Sequence, residues 1–326
     1  MTATLTLLEP PPSRAKPAAP PPASIRTAAR TPLITIAIPA YNRPHLLREA
    51  LASIATQRGC DDVEVLVCDD GGLAETRRVV EAAALPCLRF YVNPSRLGAV
   101  QNWNRCLALA TGRWVTILHE DDTLYPWFLA SIVPQLRPGL AAVAVRCAQS
   151  DKPPSLIAPA LDRPPRAYAR QWFLKSSMTP FPGVAFPREL ALRLGGFDPR
   201  EGGIADYAFW YALAGAGRIE TLPVTAAFYR VSDDQWTARA WPEMLRRAHL
   251  LRLRIARAEF PHSPRLGRWL ARFYTARMAR SYASRFKDAP ATLTRAQAFH
   301  RIPLARLPSG WIWKFLQLAS PTSETR

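Results

Sequence analysis

Four short apolar runs, separated by segments with helical spacing, constrain the fold of this chain more than any other feature. These runs are rich in aliphatic and aromatic side chains and cover residues 33–39, 63–68, 88–92 and 114–118. Continuous apolar strands are typical of a parallel sheet that is covered on both faces. Between the first two runs, Leu47, Leu51 and Ile54 mark one face of a helix. Alternating strands and helices predict an α/β fold with a doubly wound, mostly parallel sheet.

The fourth apolar run ends in a cluster of acids. His119 follows it directly, and Glu120, Asp121 and Asp122 come next. Three carboxylates at the end of a buried strand repel one another and lose solvation, so a bound cation would stabilise them. Carboxylates suit Mg²⁺ or Mn²⁺, and ligands of parallel α/β sheets bind beyond the carboxyl ends of strands. A solvated acidic turn that caps the next helix is the alternative interpretation.

The net charge of +18 is concentrated near the end of the chain. Residues 241–326 contain seventeen Lys and Arg but only four acids, whereas residues 33–240 contain 22 basic and 20 acidic residues. Apolar residues recur at helical spacing beside these arginines, which is typical of a helix at an anionic membrane surface. The same spacing also fits a helix that packs on the rest of the protein. Both interpretations remain open from the sequence.

Composition divides the chain into three segments. Residues 1–32 contain eight prolines and few large apolar side chains, which predicts a disordered leader. Residues 33–240 form the predicted α/β domain, and residues 241–326 form a basic helical extension. The five cysteines are scattered and never spaced as CxxC, so a zinc site or a disulfide framework is not expected and a reducing cytoplasm fits.

Several segments resemble, in order and spacing, the signatures of family 2 glycosyltransferases of the GT-A fold. They are Ile36–Arg43, Val67–Gly71, Leu118–Asp122, Gly195–Asp198 followed by Ala205–Trp210, and Phe228–Arg230. The resemblance covers about residues 33–235 and implies a Rossmann-like GT-A domain followed by the helical extension. It further implies a hexosyltransferase that uses a nucleotide-diphospho-sugar.

The resemblance assigns the early motifs to the nucleotide. The residues implied to contact the base and ribose are Pro39, Tyr41, Arg43, Asp70 and Glu120. Asp70 would accept a hydrogen bond from the base, and Glu120 would face the ribose. Arg96 would lie near the base or the phosphates. Turn and capping roles, or a simple surface charge for Arg96, are the alternatives.

The resemblance also implies a metal site and a catalytic base. Asp121 would hold Mg²⁺ or Mn²⁺ at the diphosphate. His119 stands where the family commonly has an aspartate, and it could ligate the metal as a neutral imidazole or simply pack. Asp206 would be the general base that accepts the proton of the acceptor hydroxyl, or else a helix N-cap. Ala205 replaces the glutamate that commonly precedes this base.

These observations predict a cytoplasmic inverting glycosyltransferase that acts on a glycan or lipid-linked acceptor in cell-surface polysaccharide synthesis. It could be peripheral at an anionic membrane surface. A catalytically degenerate nucleotide-sugar-binding protein and a polyanion- or membrane-binding protein are the alternatives. A nucleotidyltransferase is disfavoured because the first turn, Pro39–Pro44, is not glycine-rich. A dehydrogenase is disfavoured because GxGxxG is absent there. No nucleic-acid motif is visible, so nucleic acid is not an expected partner.

Overall fold

The structure is a computed structural model that describes residues 31–58, 62–155, 164–232 and 236–285. Almost all of the predicted leader, 1–32, lies outside the described residues. So does the end of the basic extension, from residue 286 onwards.

Strands and helices alternate through the first half of the chain, as the sequence predicts. The strands are β1 Ile34–Ala40, β2 Val63–Asp69, β3 Leu88–Val92, β4 Trp114–Ile117, β5 Thr123–Leu124, β6 Leu140–Ser150, β7 Arg166–Ala167, β8 Val184–Pro187 and β9 Arg218–Arg230. The helices are α1 Pro44–Ala55, α2 Ala74–Ala82, α3 Ala99–Leu109, α4 Phe128–Ile132, α5 Arg188–Arg193, α6 Ala205–Ala216, α7 Trp236–Glu259 and α8 Pro264–Arg285. Short 3-10 turns include Arg170–Leu174 and Pro199–Ile204.

Within the described residues, the strands form one sheet in the order β3-β2-β1-β4-β8-β6-β9-β5, with β7 paired to β9. Strands β1 to β4 are parallel, because helices α1 to α3 each return the chain to the end of the sheet where the next strand begins. Strand β8 runs antiparallel to both β4 and β6, and β5 and β7 run antiparallel to β9. The predicted α/β sheet is confirmed, with consecutive parallel neighbours in the first half of the chain and one further parallel pair, β6 with β9, in the second half. Antiparallel neighbours need no crossover helix, which explains the mixed second half.

The sheet is buried on both faces. Alternate residues of β1 point to opposite sides, so that Ile36 and Ile38 join one core cluster and Ala37 joins the other. Residues of α1, α2 and α4 cover the first side. Residues of α3, α5, α6, α7 and α8 cover the second. This arrangement leaves the carboxyl ends of β1 to β4 free to carry the site.

The two C-terminal helices pack against the rest of the protein. The apolar stripe of α7, including Ala248, Leu251 and Ile255, is buried in the second core cluster, and so are Leu270 and Phe273 of α8. In these helices the apolar spacing therefore serves protein packing, and the lipid-facing interpretation does not apply to the stripes. No helix in the described part of the chain combines the length and the apolar character needed to span a membrane.

Candidate functional site

One cleft of about 1610 Å³ collects every site residue that the sequence predicts. The residues that line it include Pro39, Tyr41, Arg43, Asp70, Arg96, His119, Glu120, Asp121 and Asp206. The first eight follow the carboxyl ends of β1 to β4 and form what we call the nucleotide wall. Asp206 stands at the start of α6, together with residues of α7 and α8, and these form the acceptor wall. The fold thus joins motifs that lie far apart in the sequence.

Arg43 ties the first loop to the acid cluster. Glu120 is only 2% exposed, and its Oε2 accepts a hydrogen bond from the Tyr41 N–H at 2.9 Å. The Arg43 guanidinium donates from Nε to Glu120 Oε1 at 2.8 Å and from Nη1 to Asp121 Oδ2 at 2.7 Å. Burial raises the pKa of Glu120, whereas the charge of Arg43 and the Tyr41 N–H oppose that shift. Both oxygens of Glu120 therefore have protein donors.

Asp70 shapes the loop between β3 and α3. Its Oδ1 accepts from the Leu97 N–H at 2.7 Å and from Asn93 Nδ2 at 2.9 Å, and its Oδ2 accepts from the Gly98 N–H at 2.8 Å. The loop carries Arg96, so Asp70 positions that residue in addition to lining the cleft. The sequence did not predict this positioning role.

Arg96 and Tyr41 form a stacked pair at the rim of the cleft. The guanidinium carbon of Arg96 lies 4.5 Å from the centroid of the Tyr41 ring, within the range of a cation–π contact. The Tyr41 residue is 37% exposed. An exposed aromatic face beside a cation offers a platform for a planar base with phosphates attached.

His119, Asp121 and Asp122 form a possible metal site. One ligand atom from each lies within 4.8 Å of the others. Asp122 is 1% exposed; its Oδ1 accepts from the Arg230 N–H at 2.9 Å, whereas its Oδ2 has no hydrogen-bond partner among the described residues. The buried Nε2 of His119 also lacks one there. These two buried atoms with free lone pairs, beside the carboxylate of Asp121, fit a divalent cation.

The surroundings of His119 keep it neutral. Its ring lies 4.7 Å from that of Phe181 and 5.4 Å from that of Trp103, measured between centroids. Burial lowers the pKa of His119 to about 4, so the imidazole retains a lone pair at neutral pH. Asp122 was not among the predicted ligands. The sequence signal was its membership of the acid cluster that follows the fourth apolar run.

Asp206 lies in the first turn of α6, on the acceptor wall. The preceding 3-10 turn depends on glycine, because Gly202 has a φ of +55° and a Cβ on Gly203 would lie 2.6 Å from Met244 Cγ of α7. Burial raises the pKa of Asp206 to about 6. Ala205 is completely buried, so a second carboxylate at that position would lack solvation. Asp206 is therefore the candidate base on this wall, without a second carboxylate at position 205.

The C-terminal helices complete the acceptor wall, which the sequence did not predict. Their cleft-lining residues include Trp236, Thr237, Met244 and Arg252 of α7 and Tyr274, Arg277 and Met278 of α8. The spacing that places them on one face of each helix is visible in the sequence. Which face meets the cleft depends on packing between distant segments.

The chain has relatives among known protein families. Residues 35–194 match the family described as "Glycosyl transferase family 2". One curated relative is the GalNAc(5)-diNAcBac-PP-undecaprenol beta-1,3-glucosyltransferase of Campylobacter jejuni, which is 30% identical over 119 residues that make up 36% of this chain and 38% of that protein. The matched region spans about a third of the length of such curated relatives.

Solved structures share the fold. The mannosyltransferase PcManGT from Pyrobaculum calidifontis, in complex with GDP-Man and Mn²⁺, has a TM-score of 0.54 and 23% identity over 89% of this chain and 85% of that one. Residues 1–349 of S. aureus TarS, in complex with UDP-GlcNAc, have a TM-score of 0.56 and 15% identity over 77% of this chain and 72% of that one. These similarities confirm the predicted GT-A fold.

Proposed function

Because this chain belongs to the family 2 glycosyltransferases, we propose that it transfers a sugar from a nucleotide-diphospho-sugar to a hydroxyl group of a glycan or lipid-linked acceptor in cell-surface polysaccharide synthesis. One observation carries the proposal. The residues with nucleotide-binding character and the candidate base lie on different walls of the same cleft. A transferase needs that arrangement, because donor and acceptor must meet across the transferred sugar.

The nucleotide wall provides groups for each part of the donor. The paired Tyr41 ring and Arg96 guanidinium offer a stacking surface for the base. Glu120, held by Arg43, faces the ribose, and Pro39 and Asp70 complete the pocket. Related proteins have been captured with UDP-GlcNAc and GDP-Man, which supports a nucleotide-sugar donor here.

His119, Asp121 and Asp122 would hold a Mg²⁺ or Mn²⁺ ion, which neutralises negative charge on the diphosphate leaving group when it is bound. In the structure, Arg43 supplies positive charge to Asp121. Arg43 also donates to Glu120, so it retains an anionic partner when Asp121 ligates an ion. The neutral His119 imidazole is in the protonation state that a ligand requires.

Asp206 acts as the general base and accepts the proton of the acceptor hydroxyl as that oxygen attacks the sugar. A pKa of about 6 leaves it ionised at neutral pH yet more basic than an ordinary aspartate. Attack from the acceptor wall, with the diphosphate leaving toward the nucleotide wall, is an in-line displacement. It inverts the configuration at the anomeric carbon.

We also place the protein at the cytoplasmic face of a membrane, as a peripheral protein. Residues 286–326, outside the described part, carry six Lys and Arg and two acids together with Trp311, Trp313 and Phe315. Such a segment suits an anionic lipid surface. The undecaprenol-linked substrate in the name of one relative fits this location.

A donor screen tests the proposed function. The full chain is heated with each member of a panel of UDP-, GDP- and dTDP-sugars, with Mn²⁺ or with a chelator, and the unfolding midpoint is recorded. We expect one nucleotide family to raise the midpoint, and to raise it more with Mn²⁺. If no nucleotide sugar stabilises the protein under either condition, the proposal fails.

A further inference from the structure

The acceptor wall carries positive charge that carboxylates do not balance. Its cleft-lining cations are Arg252 of α7 and Arg277 of α8, and Arg146, Arg166 and Lys175 line the same cleft from β6, β7 and the end of the turn Arg170–Leu174. In the described part of the chain, none of these five forms a salt bridge, and Asp206 is the one carboxylate that lines this wall. On the nucleotide wall, by contrast, two arginines accompany three carboxylates. The excess charge marks the acceptor wall as a place for an anion.

Arg252 is the most telling of these cations, because it is only 2% exposed. Its Nε donates to the Leu174 carbonyl at 3.0 Å, and its terminal nitrogens lie 3.4 and 3.5 Å from Met278 Sδ. Another contact, at 3.5 Å, reaches Thr275 Oγ1. All of these acceptors are neutral. A buried guanidinium without a counter-ion is unfavourable, and an anion in the adjoining cleft would compensate it.

Tyr274 provides a second, independent observation that points to a ligand at this surface. It is 2% exposed, lines the cleft, and its hydroxyl has no hydrogen-bond partner within the described residues. Buried hydroxyls almost always have a partner. Tyr274, Arg277 and Met278 share one face of α8 at helical spacing. The unpaired hydroxyl thus belongs to the same surface as the unpaired charges.

We propose that Arg252, Tyr274 and Arg277 bind a phosphate group of the acceptor, so that the acceptor is a saccharide attached through a phosphate or diphosphate to a carrier. This inference rests on the proposed function, because it names the acceptor class of that reaction. The Arg252 guanidinium carbon lies 5.6 Å from the ring of Tyr207, the residue after Asp206. The phosphate therefore binds beside the proposed base, where the attacking sugar of the acceptor would be held.

The donor diphosphate is a poorer match for these residues. We assign it to the cluster of His119, Asp121 and Asp122 beside the nucleotide wall. A second anion in the cleft must then come from the acceptor. A guanidinium suits this task because it offers several fixed N–H donors to phosphate oxygens.

Calorimetric titration of the full chain tests the site with three probes: geranyl diphosphate, inorganic pyrophosphate and geraniol. A saturating nucleoside diphosphate from the donor screen is present, so that the nucleotide wall is filled. We expect geranyl diphosphate to bind at least about tenfold more tightly than geraniol. Arg277→Gln and Tyr274→Phe should each weaken that binding severalfold. The control, Arg272→Gln, changes an exposed arginine of α8 that does not line the cleft, and should bind like wild type.

The outcomes separate the site from the proposed function. Diphosphate binding that is equal in wild type, Arg277→Gln and Tyr274→Phe, or absent in wild type, overturns the phosphate site. Pyrophosphate binding that matches geranyl diphosphate supports a site for the phosphate alone, whereas a preference for geranyl diphosphate supports a lipid-linked acceptor. If no nucleotide binds, the same titrations without nucleotide still report on Arg277. Arg252→Lys adds a further test, and the two α8 variants remain informative if it does not fold.

Discussion

The two walls of the cleft are built in different ways. The nucleotide wall comes from loops at the ends of four parallel strands, and its carboxylates are largely satisfied from within: Arg43 pairs with Glu120 and Asp121, and Asp70 accepts three N–H groups. The acceptor wall comes from a 3-10 turn and three helices, and it keeps a buried arginine without a counter-ion. On the proposed function, we infer that the donor pocket is formed in advance, whereas the acceptor pocket is completed by its substrate.

The difference between the walls predicts that a substitution on the acceptor wall can abolish sugar transfer without weakening donor binding. Asp206→Asn keeps the size of the side chain but removes the base, so turnover should fall by at least about a hundredfold. Nucleotide-sugar stabilisation in the thermal assay should be unchanged. Glu189→Gln changes a carboxylate of α5 whose side chain is 71% exposed and does not line the cleft, so it is the control and should keep full turnover. Near-normal turnover of Asp206→Asn would exclude Asp206 as the base.

On the nucleotide wall, by contrast, a substitution should weaken donor binding itself. Asp121→Ala should weaken nucleoside diphosphate binding by at least about tenfold in the presence of Mn²⁺, since it removes one of the cluster's ligands. With a chelator, the variant and wild type should differ much less. Asp151→Ala, an exposed aspartate, serves as the control. Identical titrations of wild type and Asp121→Ala under both conditions would mean that Asp121 does not bind the metal.

The acceptor wall should contribute a loss of transfer at acidic pH. Because burial raises the pKa of Asp206 to about 6, the base becomes protonated as the pH falls through that value, and turnover should fall about tenfold for each unit below it. The pKa of His119 is lowered to about 4, so its charge state should not change over this range. Turnover with saturating donor is measured from pH 5 to pH 8. A flat profile between pH 5 and pH 7 would contradict the assignment.

The smallest effect is expected at the rim of the nucleotide wall. Arg96→Ala removes a cation–π contact with the exposed Tyr41 ring, which is worth about 0.5–1 kcal/mol, so donor affinity should fall only a few-fold. Turnover at saturating donor should be unchanged. Arg78→Ala, an exposed arginine of α2, is the control. A large loss of turnover in Arg96→Ala would show that this residue acts in the chemical step.

The predictions from the sequence agree best with the structure where a local pattern of residues is enough to determine the element. The predicted bounds of β3, Leu88–Val92, are those of the structure, because an apolar run between turns fixes a strand by itself. Asp70 was placed correctly in the cleft, yet its main partners, Leu97 and Gly98, lie 27 and 28 residues away. The burial of Arg252 depends on contacts with segments 78 residues distant. Such long-range packing has no local signature, so Asp206 could be predicted from its motif but the contribution of α7 and α8 to the acceptor wall could not.

The proposed in-line displacement, with the base on one wall and the leaving diphosphate on the other, is tested most directly by the anomeric configuration of the product. Carbon-coupled proton NMR of the transferred sugar, recorded during the first turnovers with an α-linked nucleotide-sugar donor, reports its anomeric configuration through the one-bond coupling between C1 and H1. If Asp206 activates the acceptor on the side opposite the leaving diphosphate, the product is β-linked. An α-linked product would contradict the in-line displacement across the cleft and the role of Asp206 in it.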